Sequence, residues 1–306
     1  MQTPLVAVLL SSYNGERYLA EQLDSLLAQT HRNLRIVVRD DGSSDNTREI
    51  LRRYASEHAN VQVTYGENIG LVPSFFRLVD EAPSADYYCF SDQDDVWEAD
   101  KVERGMHRLR AVTGPALYFT DVQVVDSALR PLGYEHNPAP RGASFENALV
   151  QNIATGCTMM LNAAAHAALR RRPLRLVSYV YHHDWWVYAV IAGIGQVLYD
   201  PYPSIKYRQH GTNVTGSPYG LRRWTAKVKR HLGPATLRIR RQAEELLRIY
   251  GDELPPERKR LLEEFVHCMQ SGSWIQRARY AMKSPLFRQD GIDTAFLKML
   301  MAAGRV

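Results

Sequence analysis

The chain has 306 residues, 45% of them hydrophobic and 23% charged, with a formal net charge of +5, the ordinary balance of a soluble globular protein able to bury a sizeable core. No apolar run approaches the length of a membrane-spanning helix, and the start Met1-Gln2-Thr3-Pro4 lacks the basic and apolar regions of a signal peptide, so a cytoplasmic protein is expected. Cys89, Cys157 and Cys268 are odd in number, far apart and form no metal-ligand pair, which argues against a disulfide framework or a zinc site and for buried free thiols.

Leu5 to Leu10 is a short continuous apolar run, the pattern of a strand buried on both faces of a parallel sheet, and it ends in the polar turn Ser11-Ser12-Tyr13-Asn14-Gly15. From Glu16, Leu19, Leu23, Leu26 and Leu27 recur at helical spacing through Gln29. Leu34 to Val38 reads as a second strand, followed by Asp40-Asp41-Gly42-Ser43-Ser44-Asp45 and a helix through Tyr54. Val61 to Tyr65 is a third strand, and Asn68-Ile69-Gly70 leads into a helix around Ser74 to Val79. A fourth apolar run, Tyr87 to Phe90, delivers Ser91-Asp92-Gln93-Asp94-Asp95-Val96-Trp97. Strands alternating with helices predict an α/β fold with an open, mostly parallel sheet, in which ligands bind outside the carboxyl ends of the strands. Neither a Gly-x-Gly-x-x-Gly nor a Gly-x-x-x-x-Gly-Lys-Ser/Thr motif is present, so a dinucleotide fold and a phosphate-loop ATPase are both unsupported.

Three carboxylates in four residues repel one another, and Asp92, Asp94 and Asp95 with only oxygen ligands suit a hard divalent ion such as Mg²⁺ or Mn²⁺, which commonly also holds phosphates. The plainer alternative is an acidic turn capping the helix that begins near Glu98. Asp40 and Asp41 suit a base N–H or ribose hydroxyl, while Asp-Asp-Gly-Ser serves turn chemistry equally well.

Beyond the helix Ala99 to Arg110, Ala116 to Val125 has strand composition, Pro131 to Gly142 is a flap or a surface loop, and Thr155 to Leu161 reads as a buried strand. In Tyr181-His182-His183-Asp184-Trp185-Trp186 an Asp opens a helix beside bulky aromatics, as an N-cap or as a base next to a sugar-stacking face. A strand-like Gln196 to Tyr199 precedes Tyr207-Arg208-Gln209-His210-Gly211, where Arg208 and His210 are available to phosphate or, for His210, to a metal. Residues 220–306 hold 18 Lys and Arg against 9 Asp and Glu, a basic tail on a mildly acidic body. Helical apolar spacing recurs in it from Trp224 to Ile249, with further helices at Pro256 to Met269 and Ser273 to Met282. An anionic partner, lipid or nucleic acid, or a solvated surface accounts for the charge, and membrane contact is the preferred reading over packing on the body or a second subunit.

Residues 5–216 together resemble glycosyltransferase family 2, the inverting nucleotide-sugar transferases of GT-A fold. The ordered matches are Ser11 to Gly15, Asp40 to Thr47, Asn68-Ile69-Gly70, Asp92-Gln93-Asp94, Gly156-Cys157, His183-Asp184-Trp185 and Arg208-Gln209-His210-Gly211. Ser-Asp-Gln-Asp-Asp-x-Trp, His-Asp-Trp-Trp and Arg-Gln-His-Gly are most similar to bacterial rhamnosyltransferases of cell-surface polysaccharide synthesis. The resemblance implies a catalytic domain over 1–219 and a basic helical extension over 220–306. It further implies nucleoside contacts from Ser11, Tyr13, Asn14, Asp40, Asp41 and Asp92, a Mg²⁺ or Mn²⁺ ion on Asp92, Asp94 and His210, and diphosphate or acceptor contacts from Asp95, Trp97, Gly156, Trp185 and Arg208. Asp184 would be the general base. The implied partners are a nucleotide-sugar donor, dTDP-rhamnose above all, a lipid-linked or oligosaccharide acceptor, the inner face of an anionic membrane and a second copy of the chain, with no nucleic acid. Where many members carry an Arg after the Asn-x-Gly helix start, this chain has Phe75, leaving Arg77, Arg208 or His210 for the phosphate.

Overall fold

Strand β1 (Val6–Ser12) is buried along its whole length, as an apolar run flanked by pairing partners on both sides must be. The computed structural model describes residues 3–133, 136, 139–172, 177, 179–210 and 237–306. After β1 come helix α1 (Leu19–Leu27), β2 (Leu34–Asp40), α2 (Thr47–Glu57), β3 (Val61–Tyr65), α3 (Leu71–Glu81) and β4 (Tyr87–Ser91). The pairings β3-β2, β2-β1 and β1-β4 are all parallel, so each crossover helix returns the chain to the same end of the sheet. The sequence then continues through β5 (Val96–Trp97), α4 (Lys101–Leu109), β6 (Ala116–Val125), β7 (Met160–Asn162), the helix Ala163–Arg171 and β8 (Gln196–Arg208).

The eight strands form one mostly parallel sheet in the order β3-β2-β1-β4-β7-β6-β8-β5. Strand order reverses direction between β1 and β4, and a crevice opens at such a switch point beyond the strand ends. One face of the sheet is covered by Leu19, Leu23 and Leu26 of α1, Leu51 and Tyr54 of α2 and Val102 and Leu109 of α4, packed on Val6, Val8, Leu10, Ile36 and Val38.

Three local expectations change. Gly156–Thr158 is a 3₁₀ turn and only Met160–Asn162 is strand, because the Thr158 hydroxyl and N–H both turn back onto the Thr155 carbonyl (2.6 and 2.9 Å). Strand β8 runs on past Tyr199 to Arg208 despite Pro201 and Pro203. The two prolines fall where its register with β6 shifts and where the two-residue β5 does not reach, so neither removes a ladder hydrogen bond that a partner needs. Beyond the two expected helices of the tail, observed at Pro256–Ser271 and Trp274–Lys283, lies another, Gly291–Ala302.

By compactness the chain divides into two units, one of Met1–Asn137, Ala154–Leu174 and Gly195–Asn213, which holds the whole sheet, and one of Pro138–Ile153, Arg175–Ile194 and Val214–Val306. In the second, the helix His183–Ile194 is buried on nearly every side. Gly193 lets Leu254 and Phe145 approach so closely that a Cβ there would lie 2.8 and 3.2 Å from them. The Gly193 carbonyl accepts from Arg258 (2.9 Å), and Trp186 meets the ring of Tyr250 at 6.1 Å. The expected helical pattern over 221–236 and the residues Gly211 to Gly216 lie outside the described residues.

Candidate active site

At the carboxyl ends of β1, β2 and β4 the loops are tied to one another by side chain to backbone bonds. The Gln93 amide clasps Tyr13, accepting from its N–H (2.8 Å) and donating to its carbonyl (2.9 Å). Asn14, in the left-handed region at φ 47°, donates its N–H to Ser43 Oγ (3.0 Å) and accepts from the Ser44 N–H (2.9 Å). The carboxylate of Asp41 is buried and accepts from the N–H groups of Ile69 and Gly70, each at 2.9 Å, and from the buried guanidinium of Arg39. Arg39 also reaches Ser74 Oγ (3.2 Å), which pairs with Ser11 Oγ at 2.6 Å. Gly42, at φ +82°, is required here, since a Cβ would come within 2.6 Å of the Asn68 nitrogen.

Asp40 is equally buried, yet only its Oδ2 is engaged, by Arg48 (2.7 Å) and the Ser43 N–H (3.2 Å). Its Oδ1 has no hydrogen-bond partner among the described residues. A buried acceptor left over in this way fits a donor brought by a ligand. The ring of Tyr13 is 47% exposed and Ile69 and Leu71 are also exposed, so apolar surface borders the same loops.

The acidic loop after β4 is graded in burial: Asp92 and Asp94 are half-buried and Asp95 is wholly buried. Burial first, then the charges of Asp94 and Asp92, push the Asp95 carboxyl well above the usual carboxylate range. Its Oδ1 accepts from the Arg208 N–H (3.1 Å), and its Oδ2 has no hydrogen-bond partner among the described residues. Cys157 sits against it, and burial followed by the Asp95 charge drives that thiol well up.

Asp92, Asp95 and Cys157 each bring one ligand atom to within 4.8 Å of the others, the group of three metal-ligating side chains found among the described residues. Crowded carboxylates with an orphaned buried oxygen fit a divalent cation of the Mg²⁺ or Mn²⁺ class. Of the expected set Asp92, Asp94 and His210, the last two are bonded to each other, His210 Nε2 to Asp94 Oδ2 at 2.8 Å, and Asp92 groups with Asp95 and Cys157.

Arg208 differs from expectation. Its side chain is 2% exposed, and its guanidinium donates to the Asp94 carbonyl (2.8 Å), the Ser127 carbonyl (2.7 Å) and the carboxylate of Glu21 while lying over the ring of Tyr18 at 4.3 Å. Those contacts brace the acidic loop against α1 and the 126–130 turn. Arg77 is exposed and paired with Glu81 (3.2 Å). Trp97 is 4% exposed, packed in the core beneath the loop with the Lys101 amine 4.0 Å from its ring centroid.

In the second unit, Asp184 stands in the first turn of His183–Ile194, half-buried, with Oδ1 accepting from the Trp185 N–H at 2.7 Å. The Trp185 indole donates to the Ala148 carbonyl (2.7 Å), which holds this buried aromatic in place within the unit. His183 is buried and held neutral, its pKa lowered to about 4 chiefly by burial.

The family model described as Glycosyl transferase family 2 matches residues 7–174. The chain belongs to that family. It is 27% identical over 242 residues to the dTDP-rhamnosyl transferase RfbG of Shigella flexneri, covering 72% of this chain and 77% of the relative. Among solved structures, TarS residues 1–349 of S. aureus, crystallised with UDP-GlcNAc, aligns over 98% of this chain and 88% of its own at TM-score 0.60 and 14% identity. The mannosyltransferase PcManGT of Pyrobaculum calidifontis, in complex with GDP-Man and Mn²⁺, aligns over 99% and 81% at TM-score 0.51 and 16% identity. Those likenesses carry the GT-A fold.

In this family 2 chain, Ser11, Tyr13, Asn14, Asp40, Asp41, Asp92, Asp94, Asp95, Gly156, Arg208 and His210 all fall in the first unit, and Asp184 and Trp185 in the second. Glu21 and Tyr18 were not foreseen as neighbours of the acidic loop, and Cys157 was foreseen only as a buried thiol next to Gly156. Each reads locally as an ordinary helix or core residue, and only long-range pairing brings it to the loop.

Proposed function

We propose that the protein is an inverting, divalent-metal-dependent glycosyltransferase that moves L-rhamnose from dTDP-rhamnose to a saccharide or lipid-linked acceptor in cell-surface polysaccharide synthesis, working on the cytoplasmic side of the membrane. The observation that supports the donor half is that Asp40, whose buried Oδ1 has no hydrogen-bond partner among the described residues, and the crowded Asp92–Asp95 loop stand at the carboxyl ends of the parallel strands β2 and β4, on either side of β1. The relative named dTDP-rhamnosyl transferase supports the choice of sugar.

In this reading Asp40, Asp41, Ser11 and Asn14 shape the nucleoside pocket, and Tyr13 offers its exposed ring to the base. Asp92, with Asp94 and Asp95, would hold the metal, whose charge when bound offsets that of the leaving diphosphate. Asp184 takes the proton of the acceptor hydroxyl as that oxygen attacks the anomeric carbon from the side opposite the diphosphate, so the configuration inverts. A UDP-sugar is the second donor considered, because TarS was crystallised with one.

A thermal-shift series with dTDP-rhamnose, UDP-GlcNAc and GDP-mannose, each with and without Mn²⁺, tests the donor. A true donor at about 100 times its Kd stabilises by roughly 2.7 kcal/mol. dTDP-rhamnose with Mn²⁺ is expected to give the largest shift. A shift with UDP-GlcNAc alone replaces the sugar, and no shift with any nucleotide sugar overturns the reading.

A further inference from the structure

The four most exposed large apolar side chains among the described residues are Ile292 (74%), Met282 (72%), Trp274 (69%) and Met299 (66%), and all belong to the last two helices, Trp274–Lys283 and Gly291–Ala302. On the second of these, Ile292, Ala295 and Met299 fall at spacings of three and four, so they form one outward stripe. The opposite stripe, Leu297, Leu300 and Met301, is buried. A surface helix of a globular protein carries polar residues on its outer face; this one is apolar on both. On the first helix Ile275 and Met282 share the outer face with Arg279 and Lys283. The Lys298 amine reaches the Met282 carbonyl at 3.4 Å, which sets the Met282 turn beside the Met299 turn.

We propose that this helical pair is a docking face for an anionic lipid surface, with Ile275, Met282, Ile292 and Met299 entering the headgroup boundary and Arg279, Lys283 and Arg305 meeting lipid phosphates at its edge. Charge selects this occupant. From residue 271 to the end the chain has six Lys and Arg against two Asp, and Arg279, Lys283 and Arg305 are exposed. In a two-fold dimer the same patch faces itself, so these cations would stand opposite like charge, whereas an anionic bilayer neutralises them. The exposed indole of Trp274, amphipathic at one end of the pair, suits the depth of the headgroups. Apolar insertion combined with several cations is the pairing that holds a protein at an interface without a spanning helix, and none of the described helices is long and apolar enough to cross a membrane. The face lies wholly within the second unit and its chemistry does not depend on which nucleotide sugar is the donor.

The test sediments the full chain with vesicles of phosphatidylcholine alone and of phosphatidylcholine with phosphatidylglycerol. Binding to the anionic vesicles, weakened by salt, is expected. Arg279→Gln with Lys283→Gln should cut the partition coefficient by about 30-fold, and Ile292→Ser with Met299→Ser by about tenfold or more. Both double variants should keep the parent's thermal midpoint and its response to nucleotide sugar, since their side chains are at the surface. Failure of the parent to sediment, or variants that sediment like the parent, overturns the proposal. So does a concentration-dependent dimer that Ile292→Ser with Met299→Ser dissolves in the absence of vesicle binding, which would give the face to a second copy. A nucleotide-sugar shift without vesicle binding sinks this proposal and leaves the donor reading standing.

Discussion

Replacing Arg208 with Met removes the brace of the acidic loop while keeping side-chain length and apolar volume. The Asp94 and Ser127 carbonyls each lose a donor, at about 1 kcal/mol or more apiece. The guanidinium over Tyr18 contributes about another 1 kcal/mol at a site this dry. Glu21 is 55% exposed and returns to water at little cost. The sum, about 3–4 kcal/mol, corresponds to a drop of roughly 10 °C in the thermal midpoint of a domain of this size. With the Asp94 carbonyl released, the Mn²⁺-dependent stabilisation by donor should weaken in parallel, and Arg208→Lys, a compact ammonium without the planar fork that spans the separated acceptors, should fall between parent and Arg208→Met. Differential scanning fluorimetry with and without donor reads both effects. A midpoint within about 2 °C of the parent, with donor stabilisation alone abolished, would refute the brace and return Arg208 to the diphosphate.

Asp41→Asn leaves the Arg39 guanidinium buried without its counter-charge and should cost about 3 kcal/mol, lowering the thermal midpoint and donor affinity together. Gly42→Ala forces a side chain into the left-handed region against the Asn68 backbone, and a loss of roughly 1–3 kcal/mol in urea titration is expected. His166 is buried on Tyr88 and against the Val79 carbonyl, with its pKa lowered from 6.5 to about 4, burial being the main cause and Arg170 a further one. The unfolded chain therefore binds the extra proton first, so stability is lost as pH falls from about 6.5 towards 4, by about 2 kcal/mol between pH 7 and pH 5. His166→Phe should flatten that part of the pH profile of the urea midpoint. Chelation of divalent ions should abolish stabilisation by donor, and Mn²⁺ should restore it.

The parallel half of the sheet was legible because Leu5 to Leu10, Leu34 to Val38 and Tyr87 to Phe90 are apolar without interruption, as strands covered on both faces have to be. The loops that follow them are rich in Asp, Asn and Gly, and the topology brings their ends together, so the rim could be read from order alone. The antiparallel half was harder. Pro201 and Pro203 mask the length of β8, Val96–Trp97 is too short to show a period, and hydroxyl back-bonding at Thr158 turns an apparent strand into a 3₁₀ turn. Arg208 has the composition of a phosphate ligand, and only the placement of Glu21, Ser127 and Asp94 around it reveals a brace. Cys157 was rightly read as a buried thiol, but its neighbours Asp92 and Asp95 lie more than sixty residues away, beyond any local pattern. The helix Gly291–Ala302 escaped because its apolar residues lie on both faces and so show no single one-sided stripe.

In the proposed mechanism the acidic loop holds the donor and Asp184 acts as base. Measuring nucleotide-sugar stabilisation and transfer of labelled sugar to a lipid extract, side by side for Asp184→Asn and Asp92→Asn, addresses it directly. Asp184→Asn should keep the donor-induced thermal shift while transfer falls by about 10²–10⁴-fold, and Asp92→Asn should lose the shift itself. Transfer by Asp184→Asn at the parent's rate would contradict the mechanism.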